Sequence, residues 1–412
     1  MIQLQEHDEE CLSEEQNAKY DKLRLVRWEK SPKTGEWGYY AFYVIGAEWI
    51  DEKESLVVTA KQGMENIDFL KMFMTCFTSD LALEEFSNIY HIDSDERPIY
   101  APSLKGIVSP LIVLHFLGVM RRIKTLKRGY VHHSENIKKI KGRINVLKNE
   151  KLNIAPKRYD RIYCEYDEYS VDIPENRLLK KALLFSKNVV KSLGEQQTSF
   201  NKINGLLSKT LMLFENVSDE VDLKEIRQTK MHKLFSEYSE AIRLAKLILK
   251  HFDYSIHNVG ASEEKVIPFS LDMSLLYEHY VYGLLYDAYQ ERIKYQFHGL
   301  TGYPDFLYHS LSFKAILDTK YKPYWSPTKN NDDIRQLSGY SRDIRVLRKL
   351  GYEDITEVSP TPSVPCVIIY PSVGEAYSNP FKTSSLEELC SVPVSGLSQF
   401  YLIAVPIPML IH

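Results

Sequence analysis

At 412 residues the chain exceeds an ordinary single domain and predicts two or three. A hydrophobic fraction of 44% suits packed cores, and a charged fraction of 26% is ordinary for a soluble protein. The formal charge of -3 argues against a wholly basic chain that coats nucleic acid, but leaves room for local basic patches.

The five cysteines (Cys11, Cys76, Cys164, Cys366, Cys390) are scattered and form no CxxC pair. They predict neither a zinc site nor a disulfide framework, and they fit a reducing cytoplasm. The first ten residues are acidic and lack an apolar signal core. Residues 23–28, 39–44 and 55–60 have strand composition, the first two separated by Ser31-Pro32-Lys33-Thr34-Gly35. A helix follows over 66–78, with Ile67, Leu70, Met74 and Phe77 at helical spacing. The apolar run 106–120 contains Pro110 and His115, is too short to span a bilayer, and reads as a buried helix.

From 120 to 151 the sequence turns basic, from Arg121 and Arg122 to Lys148 and Lys151. This is either a solvated face or a surface for phosphates, and composition does not decide which. The His132-His133 pair lacks HExxH spacing and reads as non-metal. Pro174-Glu175-Asn176 opens a long helix, and further helical patterns cover 201–214 and 237–252. The short, charged, glycine-containing stretch 258–265 marks a boundary. The expected fold is therefore α+β and multidomain, with a β-rich region 1–160, a helical region 161–257 and a C-terminal α/β domain 258–412.

In that last region Ser270 is the expected cap of a helix whose apolar stripe runs from Met273 to Ala288, with Glu278 on its flank. A helix carboxylate so placed ordinarily faces solvent. Strands are expected over 303–308 and 313–320, joined by His309-Ser310-Leu311-Ser312. With Tyr308 opposite Phe313, Asp305 lies across from Ile316. Asp318 is then its diagonal neighbour on the same face, and Lys320 joins them by strand alternation.

Two converging carboxylates can hold magnesium, a hard cation that takes oxygen ligands and retains waters. A lysine beside them can orient a water or stabilise charge on a phosphate. An acidic-x-Lys triplet alone says little, as Asp51-Glu52-Lys53 and Glu263-Glu264-Lys265 show; both read as charged turns. The apolar run Ala315-Ile316-Leu317 distinguishes Asp318 by burying it. Local chemistry balances a nuclease evenly against a structural Asp-Lys pair. Downstream, Asp332-Asp333 begins a helix on which Gln336 and Tyr340 share a face, and 364–370 and 400–405 read as buried strands completing a sheet.

Pro304-Asp305 and Asp318-Thr319-Lys320, with Glu278 before and Gln336 after, resemble the PD-(D/E)xK nuclease core. More closely, the chain resembles the McrC family, the nuclease subunit of McrBC-type modification-dependent restriction systems. The matching stretches include Lys141-Gly142-Arg143-Ile144, Tyr166-Asp167-Glu168, Pro174-Glu175-Asn176-Arg177, Asp272 to Glu278, and Leu317 to Lys322, in order from about Gly46 onward. The first 45 residues match least well, and Tyr303 stands where a basic residue often precedes Pro-Asp.

The resemblance implies a restriction-endonuclease-like C-terminal domain with a mixed central sheet. It implies metal-facing residues Asp305, Asp318, Glu278 and Thr319, a catalytic Lys320, and Gln336 as an active-site helix residue. It further implies magnesium, with manganese as a substitute, and cleavage of double-stranded DNA, modified or not, in defence against foreign DNA. The N-terminal part would dock on a McrB-like AAA+ motor hexamer that binds GTP or ATP. The chain has no Gly-Lys dipeptide and hence no P-loop, which assigns nucleotide hydrolysis to another protein. The alternatives are a stand-alone repair or recombination nuclease and a non-catalytic regulator of an AAA+ ring.

Overall fold

The computed structural model describes all residues except 8–10, 13–16, 31–34, 77–87, 94, 193–197, 221–235, 258–264, 323–325, 328–329, 375–376 and 411–412. The chain is mixed α/β with several sheets and falls into two compact units, Met1–Leu114 with Asn258–His412, and His115–His257. This differs from the expected division at 160. The first region of the chain does not close on itself, because a strand from beyond residue 258 completes its sheet.

In the first unit β1 (Ile2–Gln5), β2 (Val44–Trp49), β3 (Ser55–Thr59), β4 (Tyr90–Ile92) and the distant β5 (Phe269–Asp272) make one sheet, in the order β1-β3-β2-β5-β4. Gly46 admits β5: its φ is +151°, and a Cβ there would stand 2.0 Å from the Phe269 carbonyl oxygen. The expected strand at 23–28 forms instead at Arg27–Lys30, and the expected run 39–44 divides between Trp37–Tyr40 and β2. Leu4, Leu25, Tyr39, Leu56 and Val58 share the core beneath. The helix expected over 66–78 is α1 (Phe69–Cys76); Phe77 lies outside the described residues.

Next comes α2 (Met273–Tyr289). Its N-cap is Asp272, whose Oδ1 accepts from the Ser274 and Leu275 N–H groups at 2.9 and 3.0 Å. The expected cap Ser270 is inside β5, opposite Gly46 and His91, so long-range pairing has taken the residue that local pattern favours.

A second sheet follows, β6 (Ile293–Tyr295), β7 (Phe306–His309), β8 (Lys314–Thr319), β9 (Cys366–Ser372) and β10 (Phe400–Pro406), in sequence order. The first three strands are antiparallel and the last two join in parallel, so the sheet is mixed. On one side α2 stacks Tyr282 on Phe306 and ties Tyr280 to the Pro406 carbonyl at 2.7 Å. On the other, α3 (Asn331–Tyr340) and α4 (Ile344–Lys349) bury Leu337, Tyr340, Val346 and Leu347 against Leu307, Ile316 and Ile368. Such alternation places residues two apart on one face.

The second unit holds a long hairpin, Gly129–Ile137 with Ile162–Ser170, to which Arg143–Ile144 adds a short strand. Its longer helices include Pro174–Ser192, Thr198–Met212 and Ser236–His257. Asn176 fastens helix to hairpin base: its buried amide donates to the Lys127 and Val171 carbonyls at 2.8 and 2.7 Å, and its Oδ1 accepts from Tyr238. Glu175 pairs with Lys127 at 2.8 Å. The Pro-Glu-Asn stretch therefore has a structural role, since buried polar groups must be satisfied.

Candidate metal and phosphate site

The site forms where β6, β7 and β8 end. The observed register pairs Phe306 with Leu317 and Tyr308 with Ala315, two residues away from the expected Tyr308–Phe313 pairing. The reversal is tighter than expected: the Ser310 N–H donates to the Phe313 carbonyl at 2.9 Å, and Ser310 Oγ accepts from the Phe313 N–H at 3.0 Å. A shift of two preserves which face each side chain takes. It moves Asp305, which directly precedes β7, from opposite Ile316 to the position opposite Asp318.

Asp318 sits near the end of β8 and is 1% exposed. Lys320, just past the strand, makes an ion pair with Asp318 Oδ2, an oxygen that is buried without a well-formed hydrogen bond. Lys320 Nζ also donates to Gln336 Oε1 at 3.1 Å, and Gln336 Nε2 donates to the Tyr340 hydroxyl at 2.8 Å. The shared face of Gln336 and Tyr340 on α3 thus meets the lysine. Asp305 Oδ2 accepts from both the N–H and the hydroxyl of Thr319, each at 2.6 Å. Thr319 accordingly orients a carboxylate through its donors. Glu278 is only 9% exposed despite its place beside the apolar stripe, and its Oε1 accepts from Gln296 Nε2 at 2.9 Å.

The electrostatics of this cluster are unusual. Burial, then the negative charge of Glu278, pushes the Asp305 carboxyl up to about 7. Burial, then Asp305, does the same for Asp318, also to about 7. Burial opposes the Lys320 ammonium, but Asp318 and Asp305 outweigh it and the net shift is upward, so this lysine stays charged. Three acids and one cation therefore converge, and the acids repel one another.

The donor set is oxygen only, which fits a hard divalent cation. Among the described residues no three His, Cys, Asp or Glu side chains already form a cage. Magnesium binds through one or two carboxylates and keeps waters, so Asp305 and Asp318 are the candidate ligands.

Supports for the site lie outside the motif. Lys61 is buried, and its Nζ donates to the Tyr321 carbonyl at 3.0 Å. The Tyr321 hydroxyl donates to Glu6 Oε1 at 3.0 Å. Asp343 accepts the N–H groups of Leu300 and Thr301, the latter at 2.8 Å, and fixes the loop before Pro304. Sequence reasoning missed Lys61, Glu6, Asp343 and Gln296. None lies within a recognisable motif, and their roles arise from contacts distant in sequence.

A family model described as the McrBC 5-methylcytosine restriction system component matches residues 101–349, more than half of the chain. No curated protein matches. Among solved structures, the chain is similar to a refined half-complex from the tetradecameric assembly of Thermococcus gammatolerans McrB AAA+ hexamers with bound McrC. The identity is 15%, over 99% of this chain and 95% of that one, with a TM-score of 0.38. It is also similar to the cryo-EM structure of the Thermococcus gammatolerans McrBC complex, at 14% identity over 82% of this chain and 99% of that one, with a TM-score of 0.33. Nothing about the site follows from likenesses this distant.

Proposed function

The chain belongs to the McrBC family, and from that premise we propose that it is the cutting subunit of a McrBC-type restriction system. In this reading it is a magnesium-dependent endodeoxyribonuclease with a PD-(D/E)xK-like domain, driven by an AAA+ partner that hydrolyses GTP or ATP and selects the DNA. The observation that carries the reading is the convergence of Asp305, Asp318 and Glu278 with the charged Lys320 at the ends of adjacent strands.

Asp305 and Asp318, with Glu278 beside them, would hold the ion. When bound there, magnesium supplies positive charge against a phosphate oxygen and acidifies a water. The residues of the chain do the rest. The half-buried Asp305 and the buried Asp318 must lose their protons to serve as ligands, and Lys320 lowers the cost of doing so. Thr319 fixes the Asp305 carboxylate through two short hydrogen bonds. Gln336 holds the Lys320 ammonium beside the acids, where it can stabilise charge developing on a scissile phosphate.

The reading is tested by co-purifying the chain with a McrB-like AAA+ protein, then supplying magnesium, nucleotide and methylated or unmethylated DNA. Double-strand cleavage is expected from the complex. Lys320→Ala should lower its rate at least a hundredfold, on the order expected for a lost charge stabiliser, without loss of assembly. Undiminished cutting by that variant would remove the assignment. Strong cutting by the chain alone, unaffected by the partner, would instead favour a stand-alone nuclease.

A further inference from the structure

The strand ends of the site form one row. β6 pairs Tyr295 with Phe306, and β7 pairs Phe306 with Leu317. The next positions across the three strands are Gln296, Asp305 and Asp318. The Gln296 N–H donates to the Asp305 carbonyl at 2.8 Å, while its side-chain Nε2 donates to Glu278 Oε1 at 2.9 Å. The same Nε2 donates to the Tyr295 hydroxyl at 3.1 Å. One residue thus holds the main chain of one acid and the carboxylate of another.

The backbone of Gln296 makes this informative. Its φ is +41°, in the left-handed region that favours glycine or asparagine. A non-glycine residue there carries strain, and strain of this kind gathers at functional sites. Gln296 is exposed, so burial of its side chain does not offset that strain. What the glutamine adds over glycine is an amide donor on Glu278, a carboxylate that stands near Asp305 and repels it.

We propose that Gln296 is a positioning residue that holds Glu278 beside Asp305, completing the acidic end of the site for a divalent cation. The proposal rests on the metal-dependent reading given above. A hydrogen-bond donor behind a ligand carboxylate typically alters metal affinity by ten- to a hundredfold.

The test is Mn2+ binding to the full chain, followed by electron paramagnetic resonance, for wild type, Gln296→Gly, Glu278→Gln and the double variant, with Asp318→Asn as reference. Gln296→Gly should weaken binding about tenfold while keeping or raising Tm, since glycine accepts the left-handed backbone. The double variant should bind like Glu278→Gln alone, because Gln296 acts through that carboxylate. Wild-type affinity in Gln296→Gly, or losses that multiply in the double variant, would overturn the proposal. If Asp318→Asn loses binding and Gln296→Gly does not, this inference alone fails; if the wild-type chain binds no Mn2+, the metal reading fails with it.

Discussion

Asp318 and Lys320 could be read from the sequence because strand alternation is local: an apolar run buries the aspartate, and the lysine two residues on shares its face. Gln336 was legible through the same logic on a helix, and its contact with Tyr340 is the i, i+4 pair expected. Gln296 was not legible, because its part depends on a left-handed φ and on register across two strands. The burial of Glu278 was equally hidden, since it is set by what covers the flank of α2. A pH dependence follows at this scale. Burial raises Asp305 and Asp318 from 3.8 to about 7, so across that window the folded chain keeps protons that the unfolded chain has released. Without metal, stability contributed by these groups falls as pH rises through the window. Asp318→Asn should therefore raise Tm in chelator at pH 7.5 and change it little at pH 4.5; an equal effect at both would contradict the burial argument.

Elements were read well in kind and less well in position. The β7–β8 hairpin was expected, but its turn is two residues tighter because the Ser310 main chain and hydroxyl both engage Phe313. The error left the face assignment intact because the side-chain period is two. Ser270 was misplaced for a different reason: β5 pairs with β2, and no local pattern announces a partner so distant. That same long-range architecture puts Lys61, which follows β3, against the residue after Lys320. Lys61 offsets the buried Glu6, whose carboxyl is pushed upward mainly by burial. Lys61→Met should lower Tm, because it removes the Nζ bond to the Tyr321 carbonyl and the charge that offsets Glu6, and Lys61→Met/Glu6→Gln should recover part of that loss. Thermal denaturation checks both; an unchanged Tm for Lys61→Met would show that the pair does not brace β8.

For the whole molecule, composition and spacing suggested three consecutive regions, whereas the chain forms two units with the first built from both ends. Local composition finds linkers but cannot see a strand returning to an earlier sheet. Membership of the McrBC family rests on the breadth of the match, residues 101–349, which extends well beyond the acid-acid-lysine motif. In the proposed reading, cutting lies at the end of the second sheet in the first unit, and nucleotide chemistry lies with a partner.

The most direct test of that account is cleavage of a circular DNA by the complex of this chain with its AAA+ partner, in magnesium and nucleotide, comparing wild type with Asp305→Ala. The account predicts linear product from wild type, none in chelator, and none from Asp305→Ala even though that variant still assembles and supports nucleotide hydrolysis by the partner. Linear product from Asp305→Ala at the wild-type rate would contradict it.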